Sequence, residues 1–166
     1  MRSRRESGFT LLEVVIASLL LLLVVSAALP LYYQGVLSWR KEKTMIEVLE
    51  NVRIGLDRIS RELRTAVRLV EAGDNAVKFV VEVEDDAGKP VQKTVRYYRD
   101  AERAQLMREV GGGVNPVASY ITGLSLTYEP PGPGEPEKKR LVRITLTGEK
   151  DGYGPLTLST SVCLRV

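Results

Sequence analysis

Gly8-Phe9-Thr10-Leu11-Leu12-Glu13 leads directly into Val14–Leu29, a run that is aliphatic apart from Ser18, Ser26 and alanines. No charged residue follows Glu13 until Arg40. Counted from Leu11, the apolar stretch reaches the roughly 20 residues that an α-helix needs to cross a bilayer. Arg2, Arg4 and Arg5 precede it. The positive-inside tendency then places residues 1–8 in the cytoplasm and the C-terminal part on the other side.

Glu13 is out of keeping with this run. An acid at the centre of a lipid-spanning helix costs about 2.5–3.5 kcal/mol on insertion scales, less near the interface, and such a group normally has a partner. No basic residue lies between Glu13 and Arg40. The partner must come from the arginine cluster, another chain, or a newly made terminus. A secretory signal peptide is an alternative reading, with the arginines as its basic region and Ser26-Ala27-Ala28 as a small-residue cleavage site. Glu13 has no role in such a peptide.

The combination of Gly8-Phe9-Thr10-Leu11-Leu12-Glu13, a short basic leader and an apolar helix resembles the processing site of type IV prepilins and type II secretion pseudopilins. The resemblance implies that a membrane peptidase cuts after Gly8 and methylates the new amino terminus at Phe9. It also implies that Glu13, the fifth residue of the mature chain, neutralises the terminal ammonium of a neighbouring subunit during assembly. Pro30, the twenty-second mature residue, stands where these pilins often carry a helix-breaking proline. Read from its own chemistry, Pro30 lacks an N–H and leaves the carbonyl of Ser26 without its helical donor, so a kink or local melting is expected there.

A helical pattern continues past the apolar run. Met45, Leu49, Val52, Leu56, Ile59, Leu63, Ala66 and Val70 recur at alternating steps of four and three, with charged residues between them. The seam is expected to pack on the protein's own sheet; a coiled-coil interface is the alternative. The helix is expected to stop near Gly73-Asp74-Asn75. The words from Glu50 to Arg64 resemble the W-type minor pilins and the J-type pseudopilins.

After residue 75 the period shifts toward two. Expected strands are Ala76–Glu84, Lys93–Arg99, Gln105–Val110, Leu124–Glu129, Leu141–Thr147 and Leu156–Leu164, with a turn at Gly111-Gly112-Gly113 and a loop at Pro130–Pro136. The expected fold is therefore α+β and pilin-like. A long N-terminal helix, transmembrane and then amphipathic, packs on a C-terminal antiparallel, meander-like β-sheet. The expected divisions are a cleaved leader over 1–8, a membrane or filament-core helix over 9–39, an amphipathic helix over 40–75 and a β head over 76–166.

Composition narrows the chemistry. The chain has no histidine, which removes Ser-His-Asp and Cys-His catalysis and His-ligated zinc. Its one cysteine, Cys163, permits no intramolecular disulfide. The net charge is +3, of which +2 falls in the first eight residues, a weak footprint for nucleic-acid binding. Gly111-Gly112-Gly113 lacks the Gly-Lys-Ser/Thr of a phosphate loop. Glu84, Asp85 and Asp86 form an acidic turn, short of the six to eight oxygens that calcium takes. Lys138-Lys139-Arg140 with Arg143 is the local basic cluster that could meet DNA phosphates.

The expected function is that of a minor pilin or pseudopilin, a filament subunit without catalytic activity, cofactor or metal. It would be held single-pass in the inner membrane, N-terminus cytoplasmic, before it joins a pilus or pseudopilus. The partners this implies are the prepilin peptidase, the major pilin and other minor pilins or pseudopilins, an inner-membrane assembly platform, and lipid. The other readings are a DNA-binding minor pilin for competence and a membrane-anchored extracytoplasmic domain of another function.

Overall fold

The computed structural model describes residues 10–85, 88–129 and 141–164. Helix α1 runs from Leu11 to Arg64, 54 residues without a break, and passes through Pro30 still helical. The chain divides into two units, one up to Glu42 and one from Lys43 onward. In the first unit α1 meets no core: the five consecutive residues Leu20–Val24 are each 58–69% exposed. At 100° per residue, five in a row cover every face of a helix. This segment is long and apolar enough to span a membrane, and it is apolar all round.

In the second unit α1 is amphipathic. Val48, Val52, Leu56, Ile59 and Leu63 are buried and form one side of the core. The expected seam holds from Val52 to Leu63 and fails before it. Val48 is 1% exposed, whereas Met45 and Leu49 are 43% and 39% exposed. Met45 stands 18 residues, five whole turns, before Leu63 and so faces the same side. The seam fails there because the cover over that side thins toward the start of the second unit.

The helix ends nine residues before the expected Gly73. Thr65 closes it by bonding the Glu62 carbonyl through both its N–H (3.1 Å) and its hydroxyl (2.9 Å). Strand β1 (Ala66–Ala72) follows at once, and pairs antiparallel with β2 (Ala76–Glu84). Val67, Leu69 and Val70 sit comfortably in a strand, and pairing with β2 overrides the helical period. Leu69 is buried and Val70 exposed, the reverse of what the seam required. Gly73-Asp74-Asn75 is therefore a hairpin turn rather than a helix cap, with Gly73 N–H bonded to the Ala76 carbonyl.

The expected single sheet is two sheets, each a simple antiparallel meander. The first adds β3 (Pro90–Asp100), β4 (Gln105–Val110) and β5 (Gly113–Ser119) to β1 and β2. The second contains β6 (Ile121–Glu129), β7 (Leu141–Lys150) and β8 (Tyr153–Cys163). The division falls at Tyr120, whose φ of 63° turns the chain out of β5 and into β6. A tyrosine in the left-handed region is uncommon, and neighbouring backbone bonds hold the bend. Ile121 donates to the Ala104 carbonyl (2.8 Å) and Glu149 donates to the Tyr120 carbonyl (3.0 Å). Gly111 and Gly112, at φ 58° and 84°, form the expected turn, between β4 and β5.

The core joins α1 to both sheets, with Phe79 and Tyr97 stacked at 6.2 Å between ring centroids. Two glycines permit close approach. A Cβ on Gly55 of α1 would lie 3.0 Å from Leu146 and 3.1 Å from Leu106. One on Gly148 of β7 would lie 2.6 Å from Val52 Cγ2 and 2.9 Å from Val48 Cγ1. Gly148→Ala is therefore expected to overpack the helix–sheet contact and cost about 1–3 kcal/mol. Thermal unfolding of the head should show the loss, and Val52→Ala in the same chain should recover part of it.

Candidate functional site

The segment marked out by sequence lies at the start of α1. Gly8 and Phe9 fall outside the described residues. Thr10 is the N-cap: its carbonyl accepts from Glu13 N–H (3.1 Å) and Val14 N–H (3.2 Å), and its hydroxyl oxygen lies 3.3 Å from Glu13 N. Thr10-Leu11-Leu12-Glu13 thus has the spacing of a capping box, a signal the sequence held and the expectations above passed over. It gives Glu13 a second role. The residue occupies the first turn of the helix, where the exposed N–H dipoles favour an anion. Glu13 is exposed there, ahead of the all-round apolar surface.

The other sequence candidates do not come together. Asp85 is a turn residue whose carboxylate accepts from Lys89 N–H at 2.8 Å, and Asp86 lies outside the described residues. Among the described residues no group of three acidic or thiol side chains is placed to hold a metal. Lys138, Lys139 and Arg140 also lie outside the described residues, as does the Pro130–Pro136 loop. Arg143 is exposed on β7, and Cys163 is exposed at the end of β8. A surface hollow beside α1 is lined by Ile54, Asp57, Arg58, Arg61 and Glu62. Its charges already satisfy one another: Arg61 meets Asp57 at 2.9 Å and Arg58 meets Glu62 at 3.6 Å.

Two polar clusters instead fasten α1 to the sheets. Glu62 accepts from Arg108 Nε of β4 at 2.9 Å, both side chains being about one-fifth exposed. Buried Tyr97 lies beside this pair. Burial raises its pKa, and the Glu62 charge raises it further. Tyr128, which donates to the Gly73 carbonyl at 3.0 Å, is raised by burial and then by Asp74 and Glu71.

The second cluster is Glu47, Asn51, Tyr120 and Lys150. Glu47 accepts from Lys150 Nζ (2.8 Å) and from the Tyr120 hydroxyl (3.1 Å), while the Lys150 ammonium sits 4.3 Å from the centre of the Tyr120 ring. Asn51 bridges its own helix and β5, donating to the Glu47 carbonyl and accepting from Ser119 N–H at 3.0 Å. The cluster thus pins the bend at Tyr120 under the helix.

The hydrogen bond from Lys150 and then that from Tyr120 lower the pKa of Glu47. A lowered carboxylate stabilises the fold above its ordinary value of about 4.3, and that contribution disappears as pH falls through the folded-state value. Glu47→Gln should therefore lower the unfolding midpoint at pH 7. The gap to wild type should close as pH falls below about 4, followed by thermal unfolding across that range.

No curated protein matches the chain. Residues 3–29 match the family model for the prokaryotic N-terminal methylation motif. The matched segment takes in Gly8, Phe9, Glu13 and most of the apolar run, and supports a pilin- or pseudopilin-type protein of the type IV prepilin kind.

Proposed function

We propose that the chain is a minor pilin or pseudopilin of W-type or J-type character, cut between Gly8 and Phe9, methylated at Phe9, and assembled into or priming a type IV pilus or type II secretion pseudopilus. The observation that carries this reading is the methylation-motif match over residues 3–29, continuous with a helix that exposes aliphatic side chains on every face. The motif implies a prepilin peptidase as processing partner and other pilins as assembly partners. It belongs to a structural protein type and not to an enzyme family.

The mechanism follows from charge and solvation. The basic leader stays in the cytoplasm and the helix crosses the inner membrane, so the head emerges on the far side. Hydrolysis after Gly8 removes the arginines and creates an ammonium on Phe9. That cation, on a neighbouring subunit, is the partner that Glu13 needs once the helix leaves lipid for a filament core. Pro30 lacks the donor that would close its helical turn, and we assign it the place where α1 can bend or extend as subunits pack. The head carries the contacts that distinguish this subunit, and the assembly platform recruits it.

The test is the N-terminal mass of the chain expressed with its prepilin peptidase, for wild type and Gly8→Ala. The expected wild-type product begins at methylated Phe9, and Gly8→Ala stays at full length. A product beginning after Ala28, or no cleavage in either form, would reject the proposal in favour of an exported or anchored domain.

A further inference from the structure

The two sheets have four edges, and three of them are guarded. β1 carries Arg68 and Glu71 and two register shifts. β5 contains Pro116 and a shift opposite Leu106 and Met107. β6 is shifted at Ile121–Gly123, and its Leu126 N–H is bonded to the Asp74 carbonyl at 2.8 Å. Charges, proline, bulges and covering loops are the devices that stop a sheet edge from recruiting another strand.

Among the described residues, β8 has none of them from Leu156 onward. Leu156–Cys163 reads Leu-Thr-Leu-Ser-Thr-Ser-Val-Cys, eight residues without charge, glycine or proline. They pair in unbroken register with Gly148–Leu141 of β7. Among the described residues no strand pairs with the other side of β8. Its inward Leu156 and Leu158 pack on the core and remain only partly covered. Its outward face is hydroxylic and exposed, and hydroxyls already pair across to β7: Ser159 with Thr145 and Thr157 with Thr147, each at 3.0 Å.

We propose that Leu156–Cys163 is a strand-pairing surface for a second copy of this chain, joined antiparallel so that two three-stranded sheets become one of six strands. The strand is complementary to itself. Pairing centred on Ser159 sets Thr157 against the partner's Ser161 and extends the hydroxyl ladder by one strand. On the inner face it sets Leu156 against the partner's Val162 and Leu158 against the partner's Thr160, covering the half-exposed leucines. No like charges meet, because the strand carries none, and backbone bonds supply the attraction that cross-strand hydroxyl and apolar pairs reinforce.

The experiment uses the full chain in detergent micelles, with Cys163→Ser as background and single cysteines placed at Ser159 or at Thr127, an exposed position on the far strand β6. Under mild oxidation or with a short bismaleimide, Ser159→Cys should give a covalent dimer and Thr127→Cys should not. Adding Ser161→Lys, an exposed change that should leave the unfolding midpoint in place, should reduce the Ser159→Cys dimer at least tenfold. Equal cross-linking at both positions, indifference to Ser161→Lys, or cross-linking of Ser159→Cys in cells only to a different protein would overturn the proposal. None of these results depends on cleavage after Gly8, so failure here leaves the filament reading to its own test.

Discussion

A helix that is aliphatic on every face cannot remain in water. Each fully buried aliphatic side chain is worth about 1.5–3 kcal/mol relative to exposure, and Leu11–Leu31 carries more than a dozen of them. The surroundings must therefore be lipid, or other helices of the same kind, and the proposed function is an exchange between the two. Glu13 fits that exchange. Next to an interface it can be capped and hydrated, but inside a packed bundle of apolar helices it needs a cation. The cleavage proposed after Gly8 would supply one and at the same time remove the arginines of the leader.

The head obeys a different constraint: α1 has to lie close over a sheet that is itself divided. Gly55 and Gly148 remove the side chains that would hold helix and strands apart. Once they are close, Glu47, Asn51 and Lys150 fasten the helix to the bend at Tyr120, and Glu62 with Arg108 fastens it to β4. These contacts join elements that the turn at Tyr120 would otherwise let separate. Their partly exposed charges add direction more than energy, as is usual for ion pairs near the surface.

Much of this was legible in the sequence. The apolar run, the turn at Gly111–Gly113 and the strands Ala76–Glu84 and Gln105–Val110 all stand where pattern places them, whereas the change from helix to strand comes at residue 65 and not near 75. β1 was hidden because Ala66 and Leu69 suit a helix as well as a strand, and only pairing with β2 decides between them. β5 was hidden by Pro116, which is tolerated because the strand lies at an edge. The separation into two sheets rests on one left-handed tyrosine, for which no local pattern exists. The Glu47–Lys150 pair spans 103 residues and leaves no trace in sequence spacing. At the candidate site, Glu13 was visible as an acid in an apolar run. Its place in a Thr10–Glu13 cap became clear from the helix start.

The most direct measurement is the distribution of Glu13→Gln between membrane and sheared filaments, alongside wild type, after both chains have been shown by mass to start at methylated Phe9. The account predicts that the variant is processed normally, remains in the membrane and is depleted from filaments at least tenfold. Recovery of Glu13→Gln in filaments at the wild-type level would contradict it.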